Sequence, residues 1–219
     1  MNSKRKSVLP EYDTKSIYPN KKALSSSQVL LYEKDPSEFY LRYELGVGGE
    51  KSVPMLVGSV FSALHEHRDF DYKTVLAEIG APKHIPDLFA TVIQRFPVVP
   101  AEQVFNAKFG KWNIRVTLDG YVEDQCTIIE NKTGQMRWDK QRANTDEQLT
   151  MQAWAHWKIK GVIPKQILLN WVNTQKTCTK QLQTFKTTRS VSAVKNFERR
   201  LEVIIAGIEA KNWTKPLYS

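Results

Sequence analysis

Asp119, Glu130 and Lys132 are the residues of this chain whose types and spacing could do chemistry together. Asp119 lies in Thr117-Leu118-Asp119-Gly120, and the other two lie in Ile128-Ile129-Glu130-Asn131-Lys132-Thr133-Gly134. If each segment is a strand, the two-residue side-chain period puts Glu130 and Lys132 on one face. A neighbouring strand ending at Asp119 would bring a second carboxylate to that face. Two converging carboxylates make a hard, all-oxygen site suited to magnesium or manganese. Such an ion activates water and neutralises phosphoryl charge. A nearby ammonium can orient that water or stabilise the transition state. The plainer alternative is a turn at Asp119-Gly120 and a solvated Glu130/Lys132 ion pair on an edge strand. Glu130 follows Ile128-Ile129 directly, and a charge at the end of a buried strand tends to be paired or functional.

These residues need a sheet to hold them. Glu102 to Phe109 and Trp112 to Val122 alternate apolar and polar residues around Gly110-Lys111, which predicts a hairpin. Cys126 to Glu130 reads as a short buried strand, ended by Thr133-Gly134. Helices are predicted over 146–160, closed by Gly161, and over 191–211 through Val194, Phe197, Leu201 and Ile204. Lys165 to Asn173 and Leu182 to Thr187 read as two more strands. Upstream, Ser25 to Ser27 offer N-caps for a first helix, and Pro36 fits the first turn of a second. Residues 54–70 carry helical spacing, and a helical stretch over 72–95 is broken by Gly80, Pro82 and Pro86. Residues 1–23 are polar and read as an arm. The remainder, 24–219, reads as a single domain with a helical part over 24–100 and a sheet-containing core over 101–219. The expected fold class is α/β, with a central mixed sheet flanked by helices and an N-terminal helical region.

Composition narrows the partners. The chain has 219 residues with 41% hydrophobic and 11% aromatic content, enough for a sizeable core and unlike a disordered protein. It has 32 Lys and Arg against 23 Asp and Glu, a net charge of +9 that favours a polyanion. No apolar run is long enough for a transmembrane helix, so no membrane role is expected. Met1 to Pro10 holds Lys4, Arg5 and Lys6 with no apolar stretch behind them, unlike a secretory signal. Cys126 and Cys178 have no CxxC partner, so neither a zinc knuckle nor an iron–sulfur cluster is expected. A reduced, cytoplasmic setting follows.

The ordered motifs resemble the PD-(D/E)XK nuclease superfamily in its RecB-like exonuclease branch, which includes phage recombination and CRISPR-associated nucleases. Leu24 to Val29 with Tyr32, Asp35-Pro36 and Phe39-Tyr40-Leu41 resembles the family's opening helix-and-proline motif. Gly58 to Glu66 resembles its glycine-to-histidine helix, the two segments around Asp119 and Glu130 its paired metal motif, and Gln148 to Ala155 its glutamine-tyrosine helix. The resemblance covers roughly residues 24–210. It implies a restriction-endonuclease-like core and a divalent-metal-dependent DNA nuclease, in the main an exonuclease of recombination, repair or phage replication. Its cofactor would be Mg²⁺ or Mn²⁺, held by Asp119, Glu130 and the carbonyl of Asn131. Lys132 would be the catalytic lysine, and Gln148 would contact DNA or steady Lys132. DNA is the implied partner, with a recombination or single-strand-annealing protein as a second one, in a bacterial or phage-encoded cytoplasmic setting. Three departures qualify the match. Ser62 stands where the family places histidine, leaving His65 or Glu66, one turn further along the same face, to serve the metal. Gln152 stands where the glutamine helix usually has tyrosine, so it is a second candidate for the motif glutamine and for contact with DNA. Asp35 occupies the position at which cluster-bearing relatives have cysteine. The alternative functions are a structure-selective or nicking endonuclease of the same fold and a catalytically inactive DNA-binding accessory.

Overall fold

The fold, known from a computed structural model, is described for residues 23–48, 51–96, 102–177 and 180–214. The expected hairpin is present. Strands β2 (Gln103–Phe109) and β3 (Trp112–Leu118) run antiparallel around Gly110, whose φ of +55° suits a residue without Cβ. Their alternation buries Phe105, Ala107, Ile114, Val116 and Leu118 on one side and exposes Asn106, Lys108 and Arg115 on the other. A short strand that the sequence did not mark, β1 (Ala23–Ser25), lies parallel to β3 on its free side. It contains Ala23; the rest of the expected polar arm, 1–22, lies outside the described residues.

The strand expected over Trp112 to Val122 is interrupted at Asp119. Beyond it, β4 (Gly120–Val122) leaves β3 and pairs antiparallel with β5 (Thr127–Gly134). Strand β5 continues parallel to β6 (Gln166–Asn173), and β7 (Leu182–Thr187) closes the edge antiparallel. The single central sheet expected is therefore two mixed sheets, ordered β1-β3-β2 and β4-β5-β6-β7. The chain turns at Asp119, whose Oδ2 accepts the backbone N–H of Asn131 at 2.6 Å, and pairing passes from one sheet to the other. Strand β5 also runs four residues past its expected end, because Asn131 to Gly134 keep pairing with β6.

Between β5 and β6 the chain forms α6 (Lys140–Thr145) and α7 (Glu147–Lys160), the parallel crossover such strands require. Asp146 caps α7 through the N–H of Leu149, and Gly161 ends it at φ +75°. Leu149 to His156 are all buried, because α7 is covered by α1 (Ser26–Lys34), α8 (Val191–Glu209) and the sheets. The opening helix motif is completed by α2 (Pro36–Phe39) and a π-helical turn at Tyr40–Glu44. A second apolar cluster joins α3 (Val53–Glu66), α4 (Tyr72–Glu78) and α5 (Ile85–Ile93) around Phe61, Leu64, Leu76 and Phe89, and reaches Val172 of β6. Sheet strands β5 and β6 thus lie between two cores. No described helix is long and apolar enough to cross a membrane.

Candidate active site

The bend after β3 and the middle of β5 bring Asp119, Glu130 and Lys132 together. Glu130 is 2% exposed, so each of its oxygens needs a donor. The Lys132 ammonium lies 2.6 Å from Oε1, and the Gln148 amide donates to the same oxygen at 2.7 Å. Gln148 Oε1 in turn accepts from Lys132 Nζ at 2.6 Å, so one side chain holds both partners. Oε2 accepts from Gln152 Nε2 at 2.6 Å, and the same amide reaches the carbonyl of Thr117 at 3.1 Å. The i, i+4 spacing of Gln148 and Gln152 is what lets one face of α7 serve both oxygens. Both candidate motif glutamines therefore touch Glu130, and Gln148 alone of the two touches Lys132.

Electrostatics follow from this crowding. Burial, then the Glu130 charge beside it, pushes the Asp119 carboxyl up to about 8, against the lowering effect of the Asn131 N–H and Lys132. Burial opposes the Lys132 ammonium, yet Glu130, then Asp119 and Asp146, outweigh it and raise its pKa. The Lys132 ammonium alone thus offsets only part of the negative charge gathered here, and the Asp119 carboxyl stays raised. Among the described residues no group of three or more His, Cys, Asp or Glu side chains is placed to hold a metal. The oxygen donors the site offers are the carboxylates of Asp119 and Glu130, a hard pair of the kind that suits magnesium-like ions completing their shell with water and phosphate oxygens.

The other predicted residues lie on α3. His65 is buried, with its ring edge-on to Phe96 at 5.5 Å between centroids, whereas Glu66 and Ser62 are exposed. Glu66 does connect electrically to the site: its charge adds to the burial that raises Glu102, and Glu102 adds to the rise at Asp119. Sequence reasoning missed Glu102. The signal was available, because the hairpin pairs Phe109 with Trp112, and seven residues back from 109 and on from 112 lie 102 and 119. It also missed the support beneath β4. His156, one turn beyond Gln152, must carry its proton on Nδ1, which lies 2.7 Å from the Val162 carbonyl. Its Nε2 then accepts from the Tyr121 hydroxyl at 2.8 Å, two residues after Asp119. Burial lowers the pKa of His156, and burial followed by Cys126 pushes Tyr121 up to about 12, so both stay neutral. Cys178 lies outside the described residues.

The arrangement of helices on two mixed sheets is a restriction-endonuclease-like α/β fold. A solved protein from Eubacterium rectale that carries a provisional exonuclease name shares it. The TM-score is 0.66 at 13% sequence identity, over 95% of this chain and 87% of that chain. An alkaline exonuclease from Laribacter hongkongensis is more distant, with a TM-score of 0.48 at 12% identity over 87% of this chain and 89% of that one. No family model matches the sequence, and no curated protein matches it.

Proposed function

We propose that this protein is a divalent-metal-dependent deoxyribonuclease of the RecB-like branch, an exonuclease that hydrolyses phosphodiester bonds in DNA recombination, repair or phage replication. The observation that carries this reading is the buried Glu130 carboxylate, bonded at once to Lys132, Gln148 and Gln152, beside an Asp119 whose pKa burial, then the Glu130 charge, raises. Such a site is electrostatically incomplete without a cation. Asp119, Glu130 and the Asn131 carbonyl would hold Mg²⁺ or Mn²⁺, with Glu66 or His65 as the residue of α3 that serves it. When bound, the ion supplies Lewis-acid charge neutralisation at the phosphate. Lys132 holds its N–H donors where water or a phosphoryl oxygen can take them. Gln148 restrains that ammonium, and Gln152 fixes the Glu130 carboxylate. The +9 charge supports DNA as the partner. Residues 24–219 act in this reading as one nuclease domain.

Digestion of end-labelled linear DNA and covalently closed circular DNA, each with Mg²⁺, Mn²⁺ or EDTA, tests it. The expected result is metal-dependent loss of linear DNA from an end, with the circle intact. Cleavage of the circle would replace the exonuclease by an endonuclease of the same fold. Full cleavage in EDTA would remove the metal, and no cleavage under any condition would leave the DNA-binding accessory.

A further inference from the structure

The sheet β1-β3-β2 buries one of its faces in the core, through Leu24, Phe105, Ile114 and their neighbours. On the other face β3 carries Asn113, Arg115 and Thr117, and β2 sets Lys108, Asn106 and Val104 directly opposite them. Val104, Asn106, Lys108 and Arg115 are exposed, and Asn113 and Thr117 are partly so. Strand β1 adds only the small Ala23 and Ser25, beside Asn113 and Arg115, so nothing bulky rises at that edge. We infer that this open face is a track for the sugar–phosphate backbone of one strand of duplex DNA, leading to Asp119 at the end of β3. The inference rests on the nuclease reading and adds to it the surface that holds the substrate beyond the reacting bond.

Charge, width and spacing each support it. Lys108 and Arg115 are cations, and none of the residues paired on this face is acidic. Neither cation is engaged in an ion pair among the described residues. The amides of Asn106 and Asn113 stand next to them as further donors. Such a set supplies N–H groups to phosphate oxygens and carries no base-reading geometry. Three strands about 4.8 Å apart make a face about 10 Å wide, room for one backbone and too narrow for both strands of a duplex. Alternate residues along β3 are about 6.8 Å apart, close to the separation of successive phosphates on one strand.

The residue types also select the partner. None of these side chains is aromatic, whereas surfaces that grip single-stranded nucleic acid stack bases on aromatic rings. Backbone contacts alone suit a strand whose bases are already stacked and paired. Val104, 37% exposed, is the one large apolar residue on the face, too little for the apolar centre of a protein interface. The face also leads to the right place. Asp119 follows two residues after Thr117, and Glu102 immediately precedes β2. Glu102, whose pKa burial and then Glu66 raise, feels the Arg115 charge in the opposite sense, and Glu102 in turn acts on Asp119. Arg115 and Asp119 are thus neighbours of one carboxylate.

Fluorescence anisotropy of the full chain in Ca²⁺ against a labelled duplex, from about 50 to 200 mM salt, tests the track. Lys108→Ala and Arg115→Ala should each weaken binding about tenfold, equally for two unrelated sequences, and each make the log–log salt slope shallower by about one. The double substitution should make it shallower by about two. Asn106→Asp, which sets a carboxylate opposite Arg115 and leaves both cations in place, should also weaken binding. Lys195→Ala, which removes an exposed charge from α8, should leave affinity and slope as in wild type. Thermal melting checks that each variant folds, and the exposed positions of Lys108 and Asn106 keep two variants independent of Arg115. Wild-type affinity and slope in Lys108→Ala and Arg115→Ala, or an equal loss in Lys195→Ala, would overturn the inference, and cleavage of linear DNA by the wild type would leave the nuclease reading standing. If the wild type neither binds duplex nor cuts it with Mg²⁺ or Mn²⁺, the nuclease reading fails and the inference with it.

Discussion

Protons and divalent cations should compete for Asp119, and the size of that competition can be worked out. In the metal-free protein the carboxyl is pushed up to about 8 by burial and by Glu130. Its unfolded value is about 3.9. A group raised on folding contributes stability that is fully present below the unfolded pKa and lost as pH rises through the folded one. In EDTA, therefore, the melting temperature should fall as pH climbs through the window between about 4 and 8. A cation needs the carboxylate, so each ion bound below about pH 8 must release close to one proton. The apparent affinity should then rise about tenfold per pH unit up to about pH 8 and level off above it. Calorimetric titration with Mg²⁺ or Ca²⁺, repeated in two buffers of different ionisation enthalpy, reads the released proton directly. Asp119→Asn should flatten both the EDTA melting trend and the proton release. An affinity for cation that stays constant from about pH 6 to 8, or a slope that survives in Asp119→Asn, would refute the reasoning.

Three further outcomes are expected. Lys132→Ala should keep cation binding but slow hydrolysis by roughly 10²–10³-fold, measured on end-labelled DNA, because it removes one preorganised charge and no ligand. Gly207→Ala should lower the melting temperature by about 4–8 °C, a net loss of about 2 kcal/mol, despite the better helix propensity of alanine. The new Cβ would clash with the Tyr32 hydroxyl and lie 3.1 Å from its Cε1 and Cζ. That ring is fully buried and donates to the Asn212 carbonyl at 2.6 Å, so it cannot swing aside. DNA affinity should fall steeply with salt, with a log–log slope of about −4 to −5 on duplex if about four to six phosphates are contacted. Fluorescence anisotropy in Ca²⁺ measures it, and a flat dependence would contradict a backbone-tracking mode.

The centre of the site was legible because it is local. Glu130 and Lys132 are two residues apart on one strand, and Asp119 ends the strand of a hairpin whose turn is visible at Gly110. The helix periods were legible too, within a few residues at each end. The division of the strands into two sheets was not legible. No proline marks a break at Asp119, and the turn exists because Asn131, twelve residues on, donates to its carboxylate. Strand β1 has three residues and α6 has six, too short to show a period. On α3, periodicity put Ser62, His65 and Glu66 on one face, but it could not say that a neighbouring cluster would bury His65 against Phe96. That depends on where α4 and α5 pack, which is a long-range fact.

Helix α7 shows why the reading could go further on the strand than on the helix. Its buried stretch runs through Gln152 and His156, and a buried polar group is tolerated only where its partner waits. Gln148 and Gln152 are matched to the oxygens of Glu130, and His156 to Tyr121. Such matching requires α7 to sit at one axial position along β5, since a slide of one turn would strand all three. Its start is fixed by Arg189, which is buried and donates to the Thr150 and Thr187 hydroxyls and to the carbonyls of Ala143, Asp146 and Thr188. Its end is fixed by the left-handed Gly161 and by His156 bonded to the Val162 carbonyl. The C-terminal anchor is local and Gly161 marks it in the sequence, whereas no short motif encodes the Arg189 anchor, which joins α7 to residues beyond β7. The carboxylates can be found from their spacing, but the alignment that makes them a site is set by Arg189, which lies 39 residues beyond the Thr150 it holds.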